Sequence, residues 1–424
     1  MARDLEHLIR PSTTGAGFTV FSTEPDAAQL VWSQLPEGRH RLVVDGIESD
    51  LDHAGGPGSV VLESLTPSSE VVVQLRCEDA TLVEQRFRTA ERPDGEELFR
   101  FATLSDLHLG RGDKQYRGPM AHPVEDDDSA DERSADDGPA DESSADSGAS
   151  DLTKQREPPQ PVRPVTVGHD DDRPLRCARA ALEEALAWGA QLIVIKGDVC
   201  EETYDSTWDL AADLLGDLSV PLLMLPGNHD TGGERHFEPE RGAAQRGLHV
   251  TRGVEHVDVP GLRIVLVDST IPGNGWGDVA RHADEAASLS RDAPTGVFLA
   301  THHQPQRFRV PLYWPHGIPG PNARRFARAI IAANPAAVMS SGHTHRNRRR
   351  TVAGLTWSEV AATNHYPATW AGYRVFEGGL HQSVRRIAEP STLAWSEHTR
   401  RMLGGTWALW STGSLSDRSF SVRW

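Results

Sequence analysis

Between residues 98 and 345 the chain repeats one pattern: a short apolar run with little polar alternation, cut off by Asp, Asn or His. Phe99-Arg100-Phe101-Ala102-Thr103-Leu104 leads into Ser105-Asp106-Leu107-His108, and Leu192-Ile193-Val194-Ile195 leads into Gly197-Asp198. Leu222-Leu223-Met224-Leu225 precedes Gly227-Asn228-His229-Asp230, and Val297-Phe298-Leu299-Ala300 precedes Thr301-His302-His303. Ala336-Ala337-Val338-Met339 runs into Ser341-Gly342-His343-Thr344-His345. Such runs suit strands buried on both faces. Helix-like stretches lie between them, from Leu175 to Trp188, Ser206 to Leu218 and Ala323 to Ala333, so the alternation predicts an α/β domain. Ligands in open α/β sheets bind beyond the carboxyl ends of strands, and these ends would meet at one edge. One more run, Ile264-Val265-Leu266-Val267, stops at Asp268-Ser269, which reads as a turn cap.

The donors delivered to that edge are carboxylate, amide oxygen and imidazole, a set that suits manganese, iron or zinc. None is a cysteine, which disfavours a structural zinc site. Asp-x-His and His-x-His are expected to put two donors on one side of an extended turn, since alternate residues point the same way. Gly197, Gly227 and Gly342 allow close backbone approach. There are more donors than one ion needs. Two divalent ions about 3.5–4 Å apart, sharing a bridging carboxylate, would use them all.

In order, Asp106-x-His108, Gly197-Asp198, Gly227-Asn228-His229-Asp230, His302 and Gly342-His343-x-His345 resemble the calcineurin-like metallophosphoesterase superfamily. The resemblance covers roughly residues 98 to 365. It implies a two-sheet β-sandwich flanked by helices, with two divalent cations at one edge. It further implies that Asp106, His108, Asp198 and His345 hold the first ion, and that Asp198 bridges to a second completed by Asn228, His302 and His343. His302 is taken over His303 because the first histidine of such a pair is the family's usual ligand. His229 becomes the histidine beside the substrate, with Asp230 orienting it. The implied chemistry is in-line attack of activated water on phosphorus, with His229 as proton donor to the leaving alkoxide. Glu201 stands where purple acid phosphatases carry tyrosine, and Asp230 stands where protein serine/threonine phosphatases carry glutamate. The asparagine block ending in Asp230, with the later His-His pair, is more similar to bacterial cyclic-nucleotide and glycerophosphodiester phosphodiesterases.

Residues 1–97 read as an N-terminal all-β sandwich, weakly similar to fibronectin type III domains. Its β-branched runs, such as Gln29-Leu30-Val31-Trp32 and Val71-Val72-Val73-Gln74-Leu75, are separated by Gly, Pro, Asp and Ser. Residues 98–390 are assigned to the catalytic domain and 391–424 to a Trp-rich C-terminal extension, which a packed cap or an oligomer surface would explain. The formal net charge is −18, but residues 121–172 alone carry −12, from 16 acidic and 4 basic side chains. With no aromatic residue, this stretch is expected to be a disordered insertion at 118–172 in the catalytic domain. The remaining −6 is ordinary for a soluble enzyme, and the acidity argues against nucleic acid as a partner. No apolar run is long enough to span a bilayer. Cys77, Cys177 and Cys200 form no disulfide framework, and the charged N-terminus lacks a secretory pattern, so a cytoplasmic location is expected. The function expected is metal-dependent hydrolysis of a small-molecule phosphate ester, foremost a phosphodiester. A phosphomonoesterase, a nuclease or a non-catalytic scaffold on the same fold are the alternatives.

Overall fold

The computed structural model describes residues 17–77, 80–111, 172–232, 238–309 and 315–424. The acidic insertion expected at 118–172 lies, apart from Asp172, outside the described residues.

The first seven strands are β1 (Thr19–Thr23), β2 (Ala28–Leu35), β3 (Gly38–Val44), β4 (Ile47–His53), β5 (Gly56–Leu62), β6 (Glu70–Cys77) and β7 (Ala80–Arg88). They form two sheets, ordered β1-β2-β5 and β4-β3-β6-β7. Period-2 alternation turns Leu30, Trp32, Leu42, Val73, Leu75 and Phe87 into the core between them. Ile47-Glu48-Ser49-Asp50-Leu51-Asp52-His53, strand β4, carries no such alternation and is largely exposed. It is an edge strand, where polar side chains guard an open ladder.

The remaining chain begins with β8 (Glu97–Leu104), α1 (Arg173–Ala187), β9 (Ile193–Lys196), α2 (Asp205–Leu215), β10 (Leu222–Leu225), α3 (Pro239–Ala244) and β11 (Val254–Val259). Next come β12 (Leu262–Val267), α4 (Ala283–Arg291), β13 (Gly296–Ala300), α5 (Gly320–Ala333), β14 (Ala337–Ser341), β15 (Arg348–Val352) and β16 (Leu355–Glu359). It ends with β17 (Thr369–Phe376), β18 (Gly379–Arg386), α6 (Pro390–Thr399), α7 (Thr406–Ser411), α8 (Leu415–Arg418) and β19 (Ser419–Arg423). Two six-stranded sheets result, ordered β10-β9-β8-β17-β18-β19 and β11-β12-β13-β14-β16-β15. β8, β9 and β10 run parallel in the first, as do β12, β13, β14 and β16 in the second. That shared direction sends the strand ends named above to one side of the molecule.

The sheets pack face to face through Phe101, Val194, Ile264, Phe298, Val338 and Tyr373. Phe101 stacks on Tyr373 with ring centroids 4.7 Å apart, and Phe298 from the other sheet meets both edge-on at 4.9 and 4.7 Å, a favoured aromatic geometry. α1 and α2 cover the outer face of the first sheet, α4 and α5 that of the second. Every strand run therefore has an apolar layer on both sides, which explains the absence of alternation. The last strand, β19, pairs with β18, so the C-terminal segment returns to the first sheet.

The N-terminal sandwich is bonded to that sheet. Gln29 of β2 donates to the Arg386 carbonyl at 2.7 Å and accepts the Arg386 amide at 2.8 Å. Arg374 of β17, almost fully buried, pairs with Asp26 and Glu97. Among the described residues no helix is long and apolar enough to cross a membrane.

Candidate metal centre

The turns after β8, β9, β10, β13 and β14 lie side by side and are stitched by backbone bonds. The Asp106 amide donates to the Gly197 carbonyl, the His108 amide to the Asp198 carbonyl and the Gly342 amide to the His302 carbonyl, each at 3.0 Å. Asp106, His108, Asp198, His343 and His345 all have positive φ, between 49° and 65°. The sequence suggested an extended turn for Asp-x-His and His-x-His; the donors instead occupy the left-handed region. For non-glycine residues this costs on the order of 1 kcal/mol each and persists where surrounding structure enforces it. Glycines make room for the crowding. A Cβ on Gly227 would lie 2.0 Å from Asp198 Oδ1, and one on Gly197 would lie 2.7 Å from His302 Nδ1.

The turns bring all seven expected donors together. His345 Nε2 lies 3.2 Å from Asp106 Oδ1 and 3.2 Å from His108 Nε2. His302 Nε2 lies 3.3 Å from Asp198 Oδ2, 3.1 Å from Asn228 Oδ1 and 3.1 Å from His343 Nδ1. Asp198 Oδ2 is also 3.8 Å from His108 Nε2, which puts this carboxylate between the two groups.

The outward nitrogen of each donor histidine is held. His108 Nδ1 meets Glu201 Oε2 at 2.6 Å, and His302 Nδ1 donates to the Lys196 carbonyl at 2.8 Å. His343 Nε2 donates to the His316 carbonyl at 3.0 Å, and His345 Nδ1 meets His365 Nε2 at 2.8 Å. Each ring is thereby left with one nitrogen aimed inward, the arrangement metal-ligating histidines adopt. Asp106 and Asp198 are 0% and 1% exposed. Among the described residues neither forms an ion pair with lysine or arginine. Burial works to raise the Asp106 carboxyl, but the charge and hydrogen bond of His345 outweigh it and hold the group below its ordinary value. Asp198 is likewise opposed by burial and pulled well down by His302 and His229. Two buried carboxylates ringed by imidazoles call for cationic charge, and the donor set fits divalent transition metals.

Asp230 sits differently from the expectation. Its carboxylate accepts the amides of Val199 at 3.1 Å, Cys200 at 2.8 Å and Gly227 at 2.8 Å, clamping the ligand turns. Burial, reinforced by Asp198, pushes it up to about 6. The His229 ring is held instead by donating through Nδ1 to the Glu201 carbonyl at 2.9 Å. Burial would lower His229, yet Asp198 and Glu201 outweigh it and raise the ring's pKa. His303 is bonded through Nδ1 to Ser269 Oγ at 2.9 Å. Arg346 and Arg350 both pair with the buried Glu359, at 2.8 and 2.6 Å.

Two functional contacts went unread in the sequence, Glu201 and His365. Glu201 follows Asp198 by three residues, a local spacing that the sequence displays. His365 follows only the three-residue run Val360-Ala361-Ala362, too short to read as a strand, so the local pattern does not mark it.

A family model described as calcineurin-like phosphoesterase matches residues 99–347. A probable cyclic nucleotide phosphodiesterase of Psychrobacter arcticus is 26% identical over 198 residues, 44% of this chain and 66% of that protein. Glycerophosphodiester phosphodiesterase GpdQ of Enterobacter lignolyticus is 28% identical over 122 residues, 27% of this chain and 41% of that protein. The chain thus spans less than two-thirds of the length of these two relatives. Among solved structures, a purple acid phosphatase from yellow lupin (Lupinus luteus) aligns with a TM-score of 0.46 and 10% identity, covering 95% of this chain and 73% of that one. Since the matched region takes in more than half of its residues and carries all five ligand turns, the chain belongs to the calcineurin-like phosphoesterase family.

Proposed function

We propose that the protein hydrolyses phosphate esters, foremost phosphodiesters of small molecules, at a centre for two divalent cations. The observation that carries this reading is the convergence of seven donors whose histidines each present one anchored, inward-facing nitrogen. Asp106, His108, Asp198 and His345 would hold one cation; Asp198, Asn228, His302 and His343 would hold the other. When bound, such a pair supplies Lewis acidity that acidifies water and neutralises charge on phosphoryl oxygens.

The chain's own residues do the rest. The His229 ring packs edge-on against His108 at 4.7 Å, and its backbone amide donates to Asp198 Oδ1 at 2.9 Å, which fixes the residue beside the site. With Nδ1 committed to the Glu201 carbonyl, its Nε2 is the atom that gives a proton to the leaving alkoxide as the P–O bond breaks. Buried ligand turns keep solvent from the back of the site. Two relatives named as phosphodiesterases support the diester assignment.

The test uses chelated protein reloaded with manganese and assayed on bis(4-nitrophenyl) phosphate and 4-nitrophenyl phosphate. Faster diester cleavage is expected, with a loss of about 100-fold or more in Asn228→Ala and His229→Ala. Equal rates in all three proteins, or preference for the monoester, would remove the assignment.

A further inference from the structure

His345 is the donor whose outward partner is another histidine. Its Nε2 faces Asp106 and His108, and its Nδ1 lies 2.8 Å from His365 Nε2. An imidazole that offers Nε2 to a cation carries its proton on Nδ1 and must donate it. The lone pair on His365 Nε2 is the acceptor within reach. The two rings lie 4.6 Å apart, and Trp407 of α7 packs against His365 at 5.2 Å.

The loop bearing His365 is itself held from the C-terminal segment. Trp395 Nε1 donates to the Asn364 carbonyl at 2.7 Å, and Trp407 Nε1 donates to the Tyr366 carbonyl at 2.9 Å. The Tyr366 amide donates to Thr399 Oγ1 at 2.8 Å. Two residues beyond His345, the Asn347 amide donates to the Ser411 carbonyl at 2.8 Å. The segment from 395 to 411 therefore grips both sides of the His345–His365 pair, and β19 anchors it to the first sheet. His365 and the whole segment lie after residue 347, where the family match ends.

We propose that His365 is a positioning residue for His345, and that the C-terminal tryptophan segment holds it in place, so that cation affinity at the Asp106–His108–His345 side is set from outside the matched region. This rests on the two-cation reading above. The segment is then a part of the metal centre's support, with Trp395 and Trp407 as its struts.

The experiment titrates manganese into chelated full-length protein by calorimetry, with thermal unfolding of the metal-free forms alongside. His365→Phe keeps a ring against Trp407 but has no acceptor; His365→Gln restores an acceptor near the same position. Loss of an outer-layer partner typically costs about 10–100-fold in metal affinity. The expected result is weakening of that size for one of the two ions in His365→Phe, with His365→Gln within a few-fold of wild type. Trp407→Leu should weaken the same ion, and it keeps the test open should His365→Phe fail to fold. Wild-type affinity in His365→Phe or Trp407→Leu would overturn the proposal while the two-cation reading stood. Equal weakening in His365→Phe and His365→Gln would also overturn it, by showing that ring packing and not the acceptor matters. Wild-type protein that binds no manganese would remove the underlying reading as well.

Discussion

The Asp106 carboxylate accepts the His343 backbone N–H through both oxygens, at 3.1 and 3.0 Å, tying the turn after β8 in one sheet to the turn after β14 in the other. The same side chain is an ionised donor facing His345. Asp106→Asn keeps an acceptor for the amide but loses the charge; Asp106→Ala loses both. Both variants should bind manganese poorly. Without metal, Asp106→Ala should lose more stability than Asp106→Asn, by about 1–3 kcal/mol for an orphaned buried amide. Identical metal-free melting of the two variants would show that the carboxylate anchors nothing.

Gly227 has no room for a side chain. A Cβ there would lie 2.0 Å from Asp198 Oδ1 and 2.4 Å from the Asp198 backbone nitrogen. Because backbone is involved, the turn must move, and overpacking of this kind costs about 1–3 kcal/mol. Gly227→Ala should lose manganese affinity by tenfold or more on calorimetric titration, about 1.4 kcal/mol. Gly275→Ala, where nothing lies within 4 Å, is the control and should titrate as wild type.

Gln29 closes the seam between the sandwich and the first six-stranded sheet by serving both backbone groups of Arg386. Gln29→Leu leaves that carbonyl and amide buried without their partner, at about 1–3 kcal/mol for each group. Urea unfolding should shift accordingly. Limited proteolysis between β7 and β8 should quicken well below the unfolding midpoint; cleavage as slow as in wild type would mean that the seam does not depend on this residue.

His381 is buried between Ser421 Oγ at 3.0 Å and the Thr23 carbonyl at 3.1 Å. Burial pushes its pKa down to about 4, with Arg374 adding to the shift and Glu24 opposing it. The unfolded chain, with an ordinary histidine near 6.5, takes up the proton first as pH falls. Stability is therefore fully present above the unfolded value and is lost between about pH 6.5 and 4, on the order of 3 kcal/mol. His381→Gln removes this titration. The stability difference between wild type and His381→Gln, from unfolding curves across that range, should move against wild type as pH falls. A constant difference would refute the assignment.

Legibility followed burial. β9, β12 and β13 are buried at every position and were readable as unbroken apolar runs. Strand β4 exposes nearly all of its side chains and gave no such signal, since its pairing is made by backbone alone. The helix α4 was missed for a related reason. Its buried positions are Ala283, Ala286, Ala287 and Ser290, small residues that make a weak apolar stripe. In the site, Asp106, His108, Asp198, Asn228, His302, His343 and His345 were legible because each follows a strand within a few residues, and the strand end supplies the direction. Asp230 was placed at the site, but its partners, the amides of Val199, Cys200 and Gly227, depend on how the turns fold back.

What the amino-acid order determined alone was the chemistry delivered to one edge of a parallel arrangement. Short-range rules govern both the apolar run and the polar residue that ends it. The choice of partners for each ring nitrogen was decided only by the tertiary structure. Glu201 reaches His108 across 93 positions, and His365 reaches His345 only because residues near the C-terminus pack behind it. A hydrogen bond extends about 3 Å, and which groups come within that span is set by packing of distant segments, which no local pattern encodes.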